Sequence, residues 1–209
     1  MSLSIERYPL GPYQANCYVV RTTPAAAEAV VVDPGAQGPE LRLELARLGT
    51  RCGAILVTHS DVDLIGAVAD LAETGAEVWC PAGEADTLRD PTTGRGGGVR
   101  AHEPEHLVSG GETVSVCGID FEVIDVPGHS AGHVAYYADG ALFSGDVLFQ
   151  QSVGRVDLEG GDWDTLVASI RMLFDRLPGD TVVYSGHGGP TTLERERQTN
   201  PFLAELRVS

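Results

Sequence analysis

Short apolar runs that each break into a turn carrying histidine or aspartate are what most constrains this chain. Ala54 to Val57 and Thr181 to Tyr184 are continuous apolar stretches, of the kind buried on both faces of a sheet. Asn16 to Arg21 and Ala29 to Val32 are β-rich, and the second runs into the turn signal Asp33-Pro34-Gly35. Such strands need apolar cover on both sides, and the segments between them can supply it. Pro39 to Leu48 has Leu41, Leu45 and Leu48 at helical spacing. Ile65 to Glu73 sets Ile65, Val68 and Leu71 on one face, with Gly75 closing the helix. Trp163 to Leu177 turns Leu166, Ile170 and Leu173 or Phe174 inward. Glu77 to Cys80 reads as a strand, and a brief helix follows through Ala85 to Arg89. Thr113 to Val126 reads as two strands around Gly118-Ile119, and His133 to Phe149 as two around the hairpin signal Asp139-Gly140. A last helix starts near Thr192. No linker stands out, so the pattern predicts one α/β domain over residues 1–209, built of two similar halves.

Composition enters where partners are concerned. A chain of 209 residues can bury a self-sufficient core. Its net charge is −16, and all 14 basic residues are arginine. That balance repels phosphate backbones and anionic lipid, which argues against nucleic acid and membrane partners and leaves a small-molecule substrate. Cys17, Cys52, Cys80 and Cys117 have no pairwise motif spacing and read as reduced thiols. The N-terminus has Glu6 and Arg7 early and no apolar signal region, so a cytoplasmic location is expected. Residues 90–101, with Pro91, Gly94, Gly96, Gly97 and Gly98, read as a mobile surface loop.

The chemistry gathers at strand ends. His59, His129 and His187 each follow a predicted strand at a turn rich in Gly, Asp or Ser. The first segment, Thr58-His59-Ser60-Asp61-Val62-Asp63, offers His59, Asp61 and Asp63 at alternating positions. Pro127-Gly128-His129, Phe143-Ser144-Gly145-Asp146 and Ser185-Gly186-His187 supply the others. Imidazole with carboxylate suits zinc, iron or manganese. Each residue alone has a plainer role: Asp61 or Asp63 can cap a helix beginning near Leu64, and a turn histidine can simply be hydrogen-bonded. Four such segments in one chain point to a divalent-cation site.

These segments resemble the metallo-β-lactamase superfamily, and within it the short glyoxalase II-like (hydroxyacylglutathione hydrolase-like) branch. Asn16-Cys17-Tyr18, Val32-Asp33-Pro34-Gly35, Pro127-Gly128-His129-Ser130, Phe143-Ser144-Gly145-Asp146, Ser152-Val153-Gly154-Arg155 with Asp157-Leu158, and Gly186-His187-Gly188 with Thr191-Thr192 carry the resemblance. It implies an αβ/βα four-layer sandwich with the site at one edge. It also implies that His59 and His129 hold a first metal, that Asp146 bridges, and that Asp63 and His187 hold a second. The family's first motif reads His-x-His-x-Asp-His, and this sequence departs from it twice, with Asp61 at the second histidine and Leu64 at the third.

Asp61 keeps a donor and shifts preference towards harder ions. Leu64 keeps none. The expectation is therefore a filled first position (His59, Asp61, His129, Asp146) and a weak or empty second one, with zinc ahead of iron or manganese. The resemblance implies a hydrolase of small thioesters or esters using metal-bound water. Asp63, relieved of strict ligand duty, becomes the candidate general base. His133 reads as a supporting residue rather than a ligand. His102 and His106, around Glu103-Pro104-Glu105, read as a solvated face. Longer glyoxalase II enzymes carry a helical glutathione-binding region, and only about twenty residues follow His187 here, which favours other small substrates over lactoylglutathione. Two alternatives stand beside this reading. One is a mononuclear iron enzyme resembling persulfide dioxygenases, on His59, His129 and Asp146. The other is a binding protein that has kept the fold and lost catalysis.

Overall fold

Alternation within single strands builds the layers. In the computed structural model, which describes residues 3–93, 95, 97 and 99–207, two six-stranded sheets pack face to face. The first holds β1 (Ser4–Leu10), β2 (Ala15–Arg21), β3 (Glu28–Val32), β4 (Arg51–Leu56), β5 (Glu77–Pro81) and β6 (His106–Val108), in that spatial order. From β3 to β6 the strands are parallel. The second half adds β7 (Thr113–Val116), β8 (Ile119–Asp125), β9 (Val134–Ala138), β10 (Ala141–Gly145), a small hairpin of β11 (Leu148–Phe149) and β12 (Ser152–Val153), then β13 (Val182–Ser185) and β14 (Thr191–Thr192). Its sheet runs β14-β13-β10-β9-β8-β7, with β10 and β13 parallel. Helices α1 (Gly38–Arg47), α2 (Val62–Ile65), α3 (Val68–Ala72) and α4 (Ala85–Arg89) cover the first sheet, and α5 (Trp163–Arg176) and α6 (Leu193–Thr199) the second.

Successive strand residues face opposite sides. Cys17 and Val19 of β2, and Ala29 and Val31 of β3, therefore face the helices with Leu41, Leu45 and Leu71. Their neighbours Tyr18, Val20, Val30 and Val32 face the second sheet, meeting Phe121, Val123, Tyr136 and Phe143. Ile124, Ala135 and Leu142 pack outward against Leu166, Ile170 and Leu173 of α5. Three apolar interlayers result, and they make this an αβ/βα sandwich. Ala54 to Val57, read as buried on both faces, is at or near zero exposure, while in Thr181 to Tyr184 the side chains of Val182 and Tyr184 are only half-buried.

Several expectations are corrected. Ile65 to Glu73 forms no single helix, because the chain breaks between α2 and α3. Gly66 packs so closely on Pro34-Gly35 that an added Cβ would stand 2.2 Å from the Gly35 carbonyl oxygen, and Ala67 leaves helical geometry at φ −109°. Strands β1 and β6 carried no clear sequence signal; both lie at sheet edges. His106 opens β6 and stacks on Trp79 at 4.3 Å, so it is only partly a solvated residue. All four cysteines are free, three of them buried. Of the glycine-rich stretch, Gly94, Gly96 and Gly98 lie outside the described residues. Among the described residues no helix is long and apolar enough to cross a membrane.

The inter-sheet layer should dominate stability. Phe121, fully buried there, is expected to lose about 3–5 kcal/mol on Phe121→Ala in urea unfolding. Leu43→Ala, at an exposed position of α1, should change stability by less than about 0.5 kcal/mol.

Candidate metal centre

The candidate histidines and Asp146 leave strand ends, or the turns just beyond them, at one edge of the sandwich, and Asp61 and Asp63 stand at the start of α2. His59 follows β4, His129 follows β8, Asp146 follows β10 and His187 follows β13. The two sheets are tied at this edge. Val134 N–H donates to the Thr58 carbonyl at 3.0 Å, Tyr136 Oη to the Val57 carbonyl at 3.0 Å, and Asn16 Nδ2 to the Ser185 and Gly188 carbonyls at 2.8 and 2.9 Å.

A chain of polar contacts orients His59. Asp33 accepts from Thr58 N–H and from Thr58 Oγ1, both at 2.8 Å. While Asp33 is ionised the Thr58 proton is spent on it, and the 3.1 Å contact between Thr58 Oγ1 and His59 Nδ1 then has Nδ1–H as donor. Nε2 then carries the lone pair, and it is buried with no partner. Burial, reinforced by His133, holds His59 well below its usual pKa, so the ring is neutral, the form that ligates metal. Burial also pushes the Asp33 carboxyl up to about 8.

The remaining donors converge on the same cleft. His129 donates Nδ1–H to the Arg155 carbonyl at 2.7 Å, which turns Nε2 inward. That atom lies 3.2 Å from Asp61 Oδ2 and 4.0 Å from Asp146 Oδ2. Asp61 Oδ2 is 3.8 Å from His59 Nε2. One donor atom each from His59, Asp61 and His129 fall within 4.8 Å of one another. Asp61 stands at the start of α2, yet its side chain makes no capping bond and turns into the cleft, against the plainer reading of its role. His133 is fully buried, stacks on His59 at 4.4 Å, and accepts from the Asp146 backbone N–H at 3.1 Å. It braces two candidate ligands rather than joining them. Asp146 Oδ1 is buried and unpartnered, and a Cβ at Gly186 would stand 2.1 Å from it, so glycine is required there.

These residues fit a divalent cation at the first position. A neutral imidazole with a bare lone pair converges with Asp61 and His129, and Asp146 Oδ2 lies 4.0 Å from His129 Nε2. The second position is poorer. His187 Nε2 lies 3.2 Å from Asp63 Oδ2 and 3.5 Å from Asp146 Oδ2, while Leu64 is fully buried and offers no donor. Asp146 and Asp63 push His187 up to about 10, so in the metal-free chain a cationic imidazole stands between two carboxylates.

Two residues escaped sequence reasoning. Arg95 reaches the cleft and lies 3.1 Å from His129 Nε2. Glu84 is buried beneath the site and accepts from Ser60 N–H at 3.0 Å, Ser130 Oγ at 2.6 Å and Gly132 N–H at 3.2 Å, joining the first histidine segment to the second. Neither belongs to a local motif. The cleft itself, of about 430 Å³, is completed by Tyr13, Arg155 and Leu158.

A four-layer sandwich with metal-ligand geometry at one edge defines a class, and the sequence agrees: residues 10–187 match the metallo-beta-lactamase superfamily, and the chain belongs to it. It is 37% identical to a probable metallo-hydrolase of Bacillus subtilis, YqgX, over 94% of this chain and 96% of that protein. It is 31% identical to the hydroxyacylglutathione hydrolase GloC of Haemophilus influenzae, over 96% and 98%. Among solved structures, the BLEG-1 B3 metallo-beta-lactamase superposes with a TM-score of 0.90 at 40% identity, covering 96% of this chain and all of that one. TTHA1623 in a di-iron-bound form superposes at 0.81 with 36% identity, covering 95% and 100%.

Two outcomes are expected. Thr58→Val, which removes the hydroxyl between Asp33 and His59, should weaken metal binding about 10–100-fold by chelator competition. In the metal-free protein, the raised His187 pKa stabilises fully below the unfolded value near ~6.5 and ceases to as pH climbs through about 10. The melting temperature should therefore fall across that window, and His187→Gln should flatten the fall.

Proposed function

We propose that this protein is a metal-dependent hydrolase of small thioesters or esters, with one well-held cation at the first position and a weak second one. The buried, neutral, unpartnered Nε2 of His59 carries this reading, because a buried bare lone pair 3.8 Å from Asp61 Oδ2 and grouped with His129 is costly unless a cation takes it. A divalent ion there supplies Lewis acidity towards a carbonyl oxygen and lowers the pKa of a coordinated water. The family relatives, a probable metallo-hydrolase and a hydroxyacylglutathione hydrolase, support hydrolytic chemistry.

The chain's own residues divide the remaining work. His59, Asp61, His129 and Asp146 hold the cation, and His133 and the Asp33–Thr58 pair keep two of them aimed. Asp63, at the cleft beside His187, is the proton acceptor for the attacking water. Water adds to the carbonyl carbon, the C–S or C–O bond breaks, and the leaving sulfur or oxygen takes up a proton. Tyr13 and Leu158 give the cleft an apolar wall suited to a small acyl group. The −16 charge supports a small-molecule substrate over nucleic acid.

Zinc is the first choice of ion. The di-iron-bound form of a 36% identical neighbour supports iron as the second choice; the mononuclear dioxygenase reading rests on His59, His129 and Asp146 alone. Elemental analysis and thioester assays separate these. We expect about one ion per chain, hydrolysis that is lost to a chelator and regained with zinc, and a second ion on Leu64→His, which restores the missing donor. Oxygen uptake with a glutathione persulfide by iron-loaded protein, without thioester hydrolysis, would replace the hydrolase reading. Absence of both activities in every metal-loaded preparation, Leu64→His included, would leave a binding protein.

A further inference from the structure

Arg95 sits where the first cation would. Its backbone carbonyl accepts from Val62 N–H at 3.0 Å, which fixes the residue beside α2. Its Nη2 donates to the carbonyl oxygens of His129 and Glu159, both at 2.9 Å. Its Nη1 lies 3.3 and 3.4 Å from the two Asp61 oxygens and 3.1 Å from His129 Nε2. His129 Nδ1–H is committed to the Arg155 carbonyl, and in the neutral ring the Nε2 lone pair faces Arg95 beside Asp61 Oδ2. One lone pair serves either an N–H donor or a metal ion, not both. A divalent ion at ligand distance would also meet the guanidinium's like charge a few ångströms away in a partly desolvated cleft.

We propose that Arg95 is the resident cation of the first metal position, and that a divalent ion binds only by displacing it. This rests on the reading that the first position takes a divalent cation. Asp61 is the other half of the device: a carboxylate offers both oxygens to a guanidinium, which the family's imidazole at this position could not do. With Asp63 and Asp146 beside it, a metal-free Asp61 would otherwise add to a cluster of like charges. The seat is imperfect, since Arg95 Nε is buried with no partner, so the guanidinium can be driven out. The protein then holds its metal more weakly than its donors alone would allow, by the fraction of molecules in which Arg95 has left.

The test titrates Zn²⁺ and Mn²⁺ into chelator-stripped full-length protein, comparing wild type with Arg95→Met and Arg95→Gln. Both variants should bind about tenfold or more tightly than wild type. A second readout is thermal. The stripped variants should melt below stripped wild type, because the carboxylates lose their counter-charge, and should gain more on adding Zn²⁺. Variants that bind both ions no more tightly than wild type, with equal or smaller thermal gains, overturn the inference and leave the metal reading standing. Wild type and variants that all fail to bind either ion overturn both.

Discussion

The apolar layer between the two sheets is the constraint on which the rest depends. Tyr18, Val20, Val30 and Val32 from one side and Phe121, Val123, Tyr136 and Phe143 from the other lock the sheets in one relative position. Tyr18 meets Phe143 edge-on at 5.5 Å, and its hydroxyl donates to the Ser185 carbonyl at 2.6 Å at the site's rim. Metal ligation tolerates errors of only a few tenths of an ångström. Donors taken from residues 59, 61, 129 and 146 can meet that tolerance only because dense packing leaves the strand ends no freedom to drift. His59 is fully buried beside His133, and desolvation keeps that imidazole neutral.

Charge in the cleft is the second theme. Asp61, Asp63 and Asp146 are each largely buried, with side-chain exposures of 14%, 18% and 11%. Carboxylates so close need counter-charge, and among the described residues Arg95 lies against Asp61, His187 against Asp63 and Asp146, and His129 beside Asp61 and Asp146. Arg95 stands where the proposed first cation would bind, and His187 is a candidate ligand of the second. The two departures from the family motif then have opposite physical effects. Asp61 adds charge and invites a cation of either kind. Leu64 fills its place with hydrocarbon and removes a ligand from the second position.

Much of this was legible in the sequence for a physical reason. Period-two alternation and helical spacing are local, so strands β2, β3 and β4, the double-faced burial of β4, and the α5 helix follow from neighbouring residues. The histidine and aspartate turns are equally local, and that is why all six candidate ligands could be named beforehand. Features set by close approach were not legible. The break between α2 and α3 arises where Gly66 meets Gly35, and edge strands β1 and β6 depend on a neighbour to pair with.

The sequence by itself determined the layered class, the donor types and the absence of a donor at Leu64. The tertiary structure decided which lone pairs are bare, which tautomers are held, and what stands opposite them. Arg95 shows the difference most clearly. In the sequence it is one arginine in a glycine-rich stretch, 34 residues from both Asp61 and His129, with no pattern to mark it. Only folding brings its guanidinium to within hydrogen-bonding distance of those donors, because electrostatic contact depends on distance in space and carries no periodicity along the chain.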